Sequence, residues 1–333
     1  RSSGKVGVVM STSGPGATNL VTGIATAMMD SSPILAITGQ VHAHLIGGDA
    51  FQETDVTGIT LPITKHNYLI TSADEVAEVV REALYIARSG RPGPVLIDFC
   101  KNAQIEQVEY EYPEQITLPG YQPPAHAPAA DLKQAANLIA QAERPVILAG
   151  HGVVMSGAVG EMAEFALRTD TPIAHTLLGL GNFPSSHPLS LGMMGMHGSA
   201  ESNLAIQNAD LILAFGMRFD DRVTGNLRNY APRARKIHVE IDPSEIHKNV
   251  EVDVPLVGDL KTVLTDLLPL VPEQRHDAWR EQIEEWRSDS QERDILAWPD
   301  DGKLYVAHVL RDLWESTAGD AIVTTDVGQH QMW

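Results

Sequence analysis

One cysteine, Cys100, stands in 333 residues. No disulfide can form within the chain, and no cysteine-based metal site; a single thiol suits a reducing compartment such as the cytoplasm. Aromatic residues are scarce at 5%. Basic residues are outnumbered, 24 Lys and Arg against 43 Asp and Glu, for a formal net charge of −19. That balance argues against nucleic acid, which needs a basic face. It leaves room for an anionic cofactor, because a few arginines and a helix N-terminus can bind phosphate within an acidic protein. No apolar run approaches the roughly 20 residues of a membrane span, and no signal-peptide pattern opens the chain. His42 and His44 form an HxH pair, but no HExxH motif or carboxylate cluster completes a metal site. No Gly-x-Ser-x-Gly supports hydrolysis.

Glycine and proline are plentiful, and they punctuate short β-rich runs without polar alternation. Such runs suit parallel strands buried on both faces. In a first block these are Val6–Thr12, Pro33–Thr38 and Val95–Phe99, with helices expected over Ala17–Met29 and Asp74–Ser89. Ser72 and Glu75 have capping-box spacing before the second helix. In a second block, strands Val146–Ala149, Pro172–His175, Leu211–Phe215 and Lys236–Ile241 alternate with helices near Ala130–Ala142, Ala158–Thr169, Ala200–Asn208 and Asp259–Leu268. This alternation implies α/β architecture with doubly wound, mostly parallel sheets and a complete Rossmann-like central domain. The expected division is 1–110, a linker 111–128, a central domain 129–270, a helix and linker 271–303, and a final block 304–333 with one helix and a strand ending at Asp326. The chain starts on Arg1 rather than Met and stops at Trp333, so it is expected to be an internal piece of a longer polypeptide.

Four charges crowd into Arg218-Phe219-Asp220-Asp221-Arg222, just past the strand ending at Phe215. The carboxyl end of a strand is where ligands bind in open α/β sheets. The bland alternative is a solvated loop with internal ion pairs. Ser13-Gly14-Pro15-Gly16 lies between a strand and a helix. It matches neither the dinucleotide fingerprint, since Asn19 replaces the third glycine, nor a P-loop; a tight turn is the alternative. Gly150-His151-Gly152 resembles the first turn of a nucleotide-binding sheet, on two glycines only. Gly192 to Ser199 combines three glycines, Met193, Met194, Met196 and His197, either an apolar binding wall or a core cluster. Glu240-Ile241 and Gly258-Asp259-Leu260 place carboxylates at further strand ends, where Asp259 could equally be an N-cap.

Taken together, STSGPGATNL, ITGQV, GGDAFQETD, SGRPGPVLID, LLGLGNFP, LGMMGMHG, GMRFDDRVTG, EIDPSEI and VTTDVGQHQMW occur in order. The chain resembles the large catalytic subunits of the acetolactate synthase (acetohydroxyacid synthase) family, which are thiamine-diphosphate enzymes. The resemblance implies thiamine diphosphate, FAD and Mg2+ as cofactors, with the metal ligands and the catalytic glutamate outside these 333 residues. It implies decarboxylation of pyruvate and condensation of the hydroxyethyl unit with pyruvate or 2-oxobutyrate, in a homodimer or larger assembly with a possible small regulatory subunit. By the same resemblance Gln52, Phe51 and Lys101 are catalytic, and Asp221, Arg222 and Met196 bind substrate, Arg222 taking the acceptor's carboxylate. Asn19, Gly14, Gln329 and His330 are implied at thiamine diphosphate. Arg91, Gly150, His151, Gly152, Thr176, Leu177, Met194, Gly195, Met196, His197, Gly216, Met217, Arg218, Phe219, Asp220, Glu240, Ile241, Asp259 and Leu260 are implied around FAD, whose place in this family is structural. The chain departs from the family at Cys100-Lys101-Asn102, where Pro-Lys-Asp is common, at His151, where glycine is common, and at His42. The competing readings are a sister carboligase such as a glyoxylate carboligase, a non-catalytic flavin-binding module, and an NAD-dependent oxidoreductase suggested by the sheet pattern alone.

Overall fold

The computed structural model describes residues 3–294, 296, 298 and 301–332, the side chains of 329 and 332 excepted. Two compact units divide the chain, Arg1–Pro123 and Pro124–Trp333. Both are α/β, each built on an all-parallel sheet. Among the described residues no helix is long and apolar enough to cross a membrane.

In the first unit, strands β1 (Gly7–Ser11), β2 (Ile34–Gln40), β3 (His66–Ile70) and β4 (Pro94–Cys100) lie in the order β1-β2-β4-β3. β4 is central and apolar, and Val95, Leu96 and Ile97 are fully enclosed. β3 is unexpected, because polar His66 and Asn67 mask a short edge strand. β1 is not buried on both faces as expected: Val8 and Met10, on one face of this edge strand, are 60% and 72% exposed. The helix expected over Ala17–Met29 forms as Pro15–Thr18 and Val21–Met29. Between them the Leu20 N–H bonds back three residues to Ala17 O at 3.1 Å, tightening the turn and breaking the α-helical ladder. The capping box at Ser72 and Glu75 forms, closing a 3₁₀ turn that leads into the helix Val76–Arg88. That helix lays Ala83, Ile86 and Ala87 against the β4 side of the core.

In the second unit, β5 (Pro145–Ala149), β6 (Ile173–His175), β7 (Ser190–Met193), β8 (Leu211–Phe215), β9 (Arg235–Glu240) and β10 (Val254–Val257) take the order β10-β9-β8-β5-β6-β7. From the β5/β8 pair the chain winds outward in both directions, so their carboxyl ends form the topological switch point of a doubly wound sheet. Every residue of β5 and β8 is buried. Below the switch point Phe215 meets Phe165 edge to face, ring centroids 5.6 Å apart. β7 and β10 are short edge strands carrying Gly192 and Pro255, which hid them from the pattern. The helices Ala129–Gln141, Val159–Thr169, Ala200–Asn208 and Leu260–Leu267 cover the sheet.

The helix Asp277–Arg293 belongs to this core rather than to a connecting segment. Trp279 and Ile283 are each 4% exposed, and Trp279 Nε1 donates to Pro145 O at 3.1 Å. The strand expected to end at Asp326 does not form: residues 321–326 have no ladder partner among the described residues, and Ile322 is exposed. A lone β-rich run without a neighbour leaves its backbone groups unpaired and gains nothing by becoming a strand.

Trp279→Ala is expected to lower stability by about 3–5 kcal/mol, through lost burial and an orphaned carbonyl. Urea unfolding followed by far-UV circular dichroism reads it. An unchanged midpoint would mean that the helix is an appendage.

Candidate functional site

The first unit gathers its candidates at the carboxyl ends of its strands. Gly14 follows β1 with φ 61°, and a Cβ there would lie 2.9 Å from Gln52 O and 3.0 Å from Gln52 Cβ. The missing side chain therefore lets Gln52 stand against the β1 turn. Gln52 itself has φ 60°, and Phe51 beside it is 88% exposed. A large aromatic ring held in water is an informative exposure when it caps a strand-end loop. Asn19 ends the short helix after Gly14 and is exposed. Lys101 begins the helix Lys101–Ile105 directly after β4, and its N–H donates to Val41 O at 3.3 Å. Asn102, where the family commonly has Asp, accepts from Ala43 N at 2.9 Å and donates to Thr71 O at 2.7 Å. Arg91 is not brought to this group: it lies before the amino end of β4, with Nε donating to Ser31 Oγ at 2.8 Å.

Beneath these loops lies a buried polar cluster. Thr38 Oγ1 and Gln40 Nε2 donate to the Asp98 carboxylate at 2.7 and 2.8 Å. Asp98 is 1% exposed. Burial pushes its carboxyl up to about 6, the two donors pull it down and Asp55 pushes it up slightly further, so burial wins.

In the second unit the switch point is made of glycine. Gly150 and Gly152 follow β5, and Gly216 follows β8. A Cβ on Gly150 would lie 2.1 Å from Gly216 O, and one on Gly152 would lie 2.6 Å from Gly216 Cα. Gly150 N donates to Phe215 O at 2.9 Å and Gly152 N to Gly216 O at 3.1 Å. Two loops thus meet backbone to backbone at the topological switch point, the edge at which open α/β sheets bind their ligands. His151 joins this edge to the next turn, with Nδ1 3.0 Å from Leu178 O. Thr176 caps that turn, accepting from Gly179 N at 3.1 Å, and Leu177 beside it is exposed.

The charged loop and the methionine loop come together. Met196 N donates to Arg222 O at 2.8 Å, and Arg222 Nη1 lies 3.8 Å from Met196 Sδ. Asp220 caps the turn Asp221–Thr224 by accepting from Arg222 N at 3.0 Å. Among the described residues no ion pair joins Arg218 or Arg222 to Asp220 or Asp221, so the loop is not self-neutralised. Met194, Met217 and Phe219 face inward and are buried, whereas Met196, His197, Asp221 and Arg222 are exposed. Gly195 is pinned on both sides by Asn203, which accepts from its N–H and donates to its carbonyl, each at 2.9 Å. Burial holds the His238 ring below its ordinary value and hence neutral, and Nε2 donates to Met217 O at 2.8 Å.

Other candidates are spoken for locally. Glu240 Oε1 accepts from Ile241 N at 3.0 Å, at the end of β9. Asp259 serves as the N-cap of Leu260–Leu267, accepting from Thr262 N at 3.1 Å, and Leu260 is in the core. His330 is exposed in a 3₁₀ turn. The side chain of Gln329 and the whole of Trp333 lie outside the described residues. Residues that sequence reasoning did not single out are the amides that hold the loops: Asn182, which donates to Gly150 O at 2.8 Å, Asn203, and Asn249, which donates to Phe219 O at 3.0 Å. Asn182 lies in the LLGLGNFP run, so its signal was present there; the other two have none.

Residues 132–267 match the model of the thiamine pyrophosphate enzyme central domain, and residues 1–59 that of the thiamine pyrophosphate enzyme N-terminal TPP binding domain. The chain belongs to the thiamine pyrophosphate enzyme family. It is 49% identical to a probable acetolactate synthase large subunit of Methanocaldococcus jannaschii, over 100% of this chain and 58% of that protein. It is 46% identical to an acetolactate synthase of Mycobacterium bovis, over 99% of this chain and 54% of that protein. It is 42% identical to the acetolactate synthase isozyme 3 large subunit of Escherichia coli, over 100% and 59%. The chain therefore spans somewhat over half the length of the curated relatives it matches.

Gly216→Ala is expected to lower stability by about 1–3 kcal/mol, from left-handed backbone and contact with Gly152, with the denaturant slope unchanged. Retained stability would show that the two loops do not depend on their close approach. Asp98 gives a pH signature. Its folded-state value, about 6, exceeds its ordinary 3.8, so its contribution is present in full below pH 4 and is lost as pH rises through 6. The loss is about 3 kcal/mol from the size of that shift. Unfolding free energies measured between pH 4 and 7 on the native chain and on Asp98→Asn check it: the variant should lack this slope, and parallel curves would refute it.

Proposed function

We propose that the polypeptide carrying this chain is a cytoplasmic acetolactate synthase: it decarboxylates pyruvate and joins the two-carbon unit to pyruvate or 2-oxobutyrate, for branched-chain amino-acid biosynthesis. The observation that carries the reading is Arg222. Its guanidinium is exposed and free of ion pairs among the described residues, and its backbone is fixed by the Met196 N–H. A planar guanidinium held this way grips a carboxylate with two parallel bonds, which both binds a 2-oxo acid and sets the orientation of its keto carbon. Asp220 fixes the turn from which Arg222 projects, Asp221 supplies a second exposed charge beside it, and Met196 gives an apolar surface next to the guanidinium.

In the first unit the same reading gives Gln52 and Phe51 the thiazolium side of the substrate, and Lys101 the channel that leads to it. Gly14 and Asn19 line the thiamine diphosphate. Thiamine diphosphate, when bound, supplies the electron sink that makes decarboxylation of a 2-oxo acid feasible. Phe51 excludes water over the reacting carbon, and Gln52, held by the Gly14 contact, orients the substrate by hydrogen bonding.

The switch-point crevice fits FAD. A Cβ on Gly150, Gly152 or Gly216 would meet the facing loop at 2.1 to 2.6 Å, so glycine lets the two loops pack backbone to backbone, and the pyrophosphate would lie against that backbone edge. Arg218 would neutralise phosphate charge, with Thr176, Leu177, Met194 and His197 along its walls. FAD in this role braces the unit and carries no electrons in the net reaction. Among the described residues no group of three or more His, Cys, Asp or Glu is placed to hold a metal ion. The relatives named as large subunits support a small regulatory partner, within a homodimer or larger assembly.

In the full-length polypeptide, Arg222→Ala should raise the KM for the acceptor 2-oxo acid roughly 10- to 100-fold, the worth of hydrogen bonds to a charged group, while bound flavin stays unchanged. Initial rates with 2-oxobutyrate against pyruvate measure it. Unaltered acceptor affinity and selectivity would remove Arg222 from the role.

A further inference from the structure

The loop that carries Phe51 and Gln52 is held from below by a chain of side-chain bonds with no slack. Gln40, at the last position of β2, is 7% exposed and uses three of its amide positions. Its Nε2 donates to Asp98 Oδ2 and to Thr54 O, each at 2.8 Å, and its Oε1 accepts from Val41 N at 2.8 Å. Thr54 O also accepts from Val56 N at 2.8 Å, so the exit of the loop is fixed where the helix Val56–Thr60 begins. The loop closes on itself through Glu53, whose carboxylate accepts from Gly47 N and, at 3.1 Å, from Ala50 N. Those backbone donors hold the Glu53 carboxyl below the usual range.

An amide has a donating end and an accepting end, and the two are nearly the same shape. Among these partners Asp98 is the one side chain that sets which end faces inward, and the two backbone partners, Thr54 O and Val41 N, match it. A carboxylate only accepts, so it selects the NH2 of Gln40 and leaves Oε1 for Val41 and the second N–H for Thr54. Thr38 fills the other carboxylate oxygen at 2.7 Å, and among the described residues no hydrogen bond joins its side chain to the loop. We infer that Asp98 is a positioning residue: through the orientation of the Gln40 amide it fixes the Thr54 carbonyl, and with it the loop 47–54 that presents Phe51 and Gln52. This rests on the reading of that loop as part of the reaction site. Asp98 does not touch the substrate; it acts through Gln40.

The test uses the full-length polypeptide with Asp98→Asn, Gln40→Ala, the double variant, and Thr38→Val as the partner that does not reach the loop. Hydrogen exchange by mass spectrometry should show amides 47–54 exchanging about tenfold faster in Asp98→Asn and Gln40→Ala, with β1 and β4 protected as before. The double variant should be no worse than either single, because both break one linkage. Turnover of pyruvate should fall on the order of 100-fold in both, as for a misplaced reacting geometry. Thr38→Val should keep turnover within about twofold. Unchanged exchange in the loop, or Thr38→Val losing as much as Asp98→Asn in both measurements, would overturn the inference. The exchange measurement decides this point even if the native polypeptide does not turn over pyruvate, in which case it is the functional reading that fails.

Discussion

The second unit depends on two stretches of backbone passing close enough to touch. β5 and β8 are neighbours that lead away in opposite directions, so their following loops must leave from the same place. With a Cβ on Gly150, Gly152 or Gly216 the loops would overlap, at 2.1 to 2.6 Å from backbone atoms. With glycine they instead bond, Gly152 N to Gly216 O, and Gly216 N reaches across to Val239 O at 3.0 Å. The residues after Gly216 inherit that fixed start. Met217 is pinned by His238, Phe219 by Asn249 and the aromatic faces around it, and Asp220 caps the turn that projects Arg222. Specific polar bonds and one crowded crossing thus hold a charged loop that has no internal ion pair among the described residues.

The first unit solves the same problem differently. Its strand-end loop is exposed and holds two non-glycine residues, Asp49 and Gln52, with positive φ. Strain of that kind persists only where surroundings over-determine the backbone. Here the surroundings are Gly14 on one side, the Glu53 carboxylate inside, and the Asp98–Gln40 pair beneath. A buried carboxyl whose burial outweighs its hydrogen bonds is costly, and that cost sits next to the candidate site rather than in the remote core.

Much of the frame was legible in the sequence, for physical reasons. β5 and β8 are unbroken apolar runs, and burial on both faces requires that pattern. The capping box at Ser72 and Glu75 was legible because it is local chemistry. What stayed hidden was set by distant partners. His66–Ile70 becomes a strand only by pairing with β4, and Val254–Val257 tolerates Pro255 because it lies at an edge. The run ending at Asp326 carries strand composition and has no strand neighbour among the described residues, so composition alone misled. The charge density of the loop was readable, but not that its charges lack internal ion pairs among the described residues, since sequence does not tell which way Asp220 turns. Single amides such as Asn203 and Asn249 have no period, and their work shows only in the hydrogen bonds they make.

The central claim is that the 2-oxo acid chemistry belongs to the polypeptide that carries this chain. The most direct measurement supplies the full-length polypeptide with thiamine diphosphate, Mg2+ and FAD, offers carbon-labelled pyruvate with and without 2-oxobutyrate or glyoxylate, and identifies products by nuclear magnetic resonance. The account predicts 2-acetolactate from pyruvate alone and 2-aceto-2-hydroxybutyrate when 2-oxobutyrate is added. Preferential consumption of glyoxylate, or release of carbon dioxide and acetaldehyde without a condensed product, would contradict it.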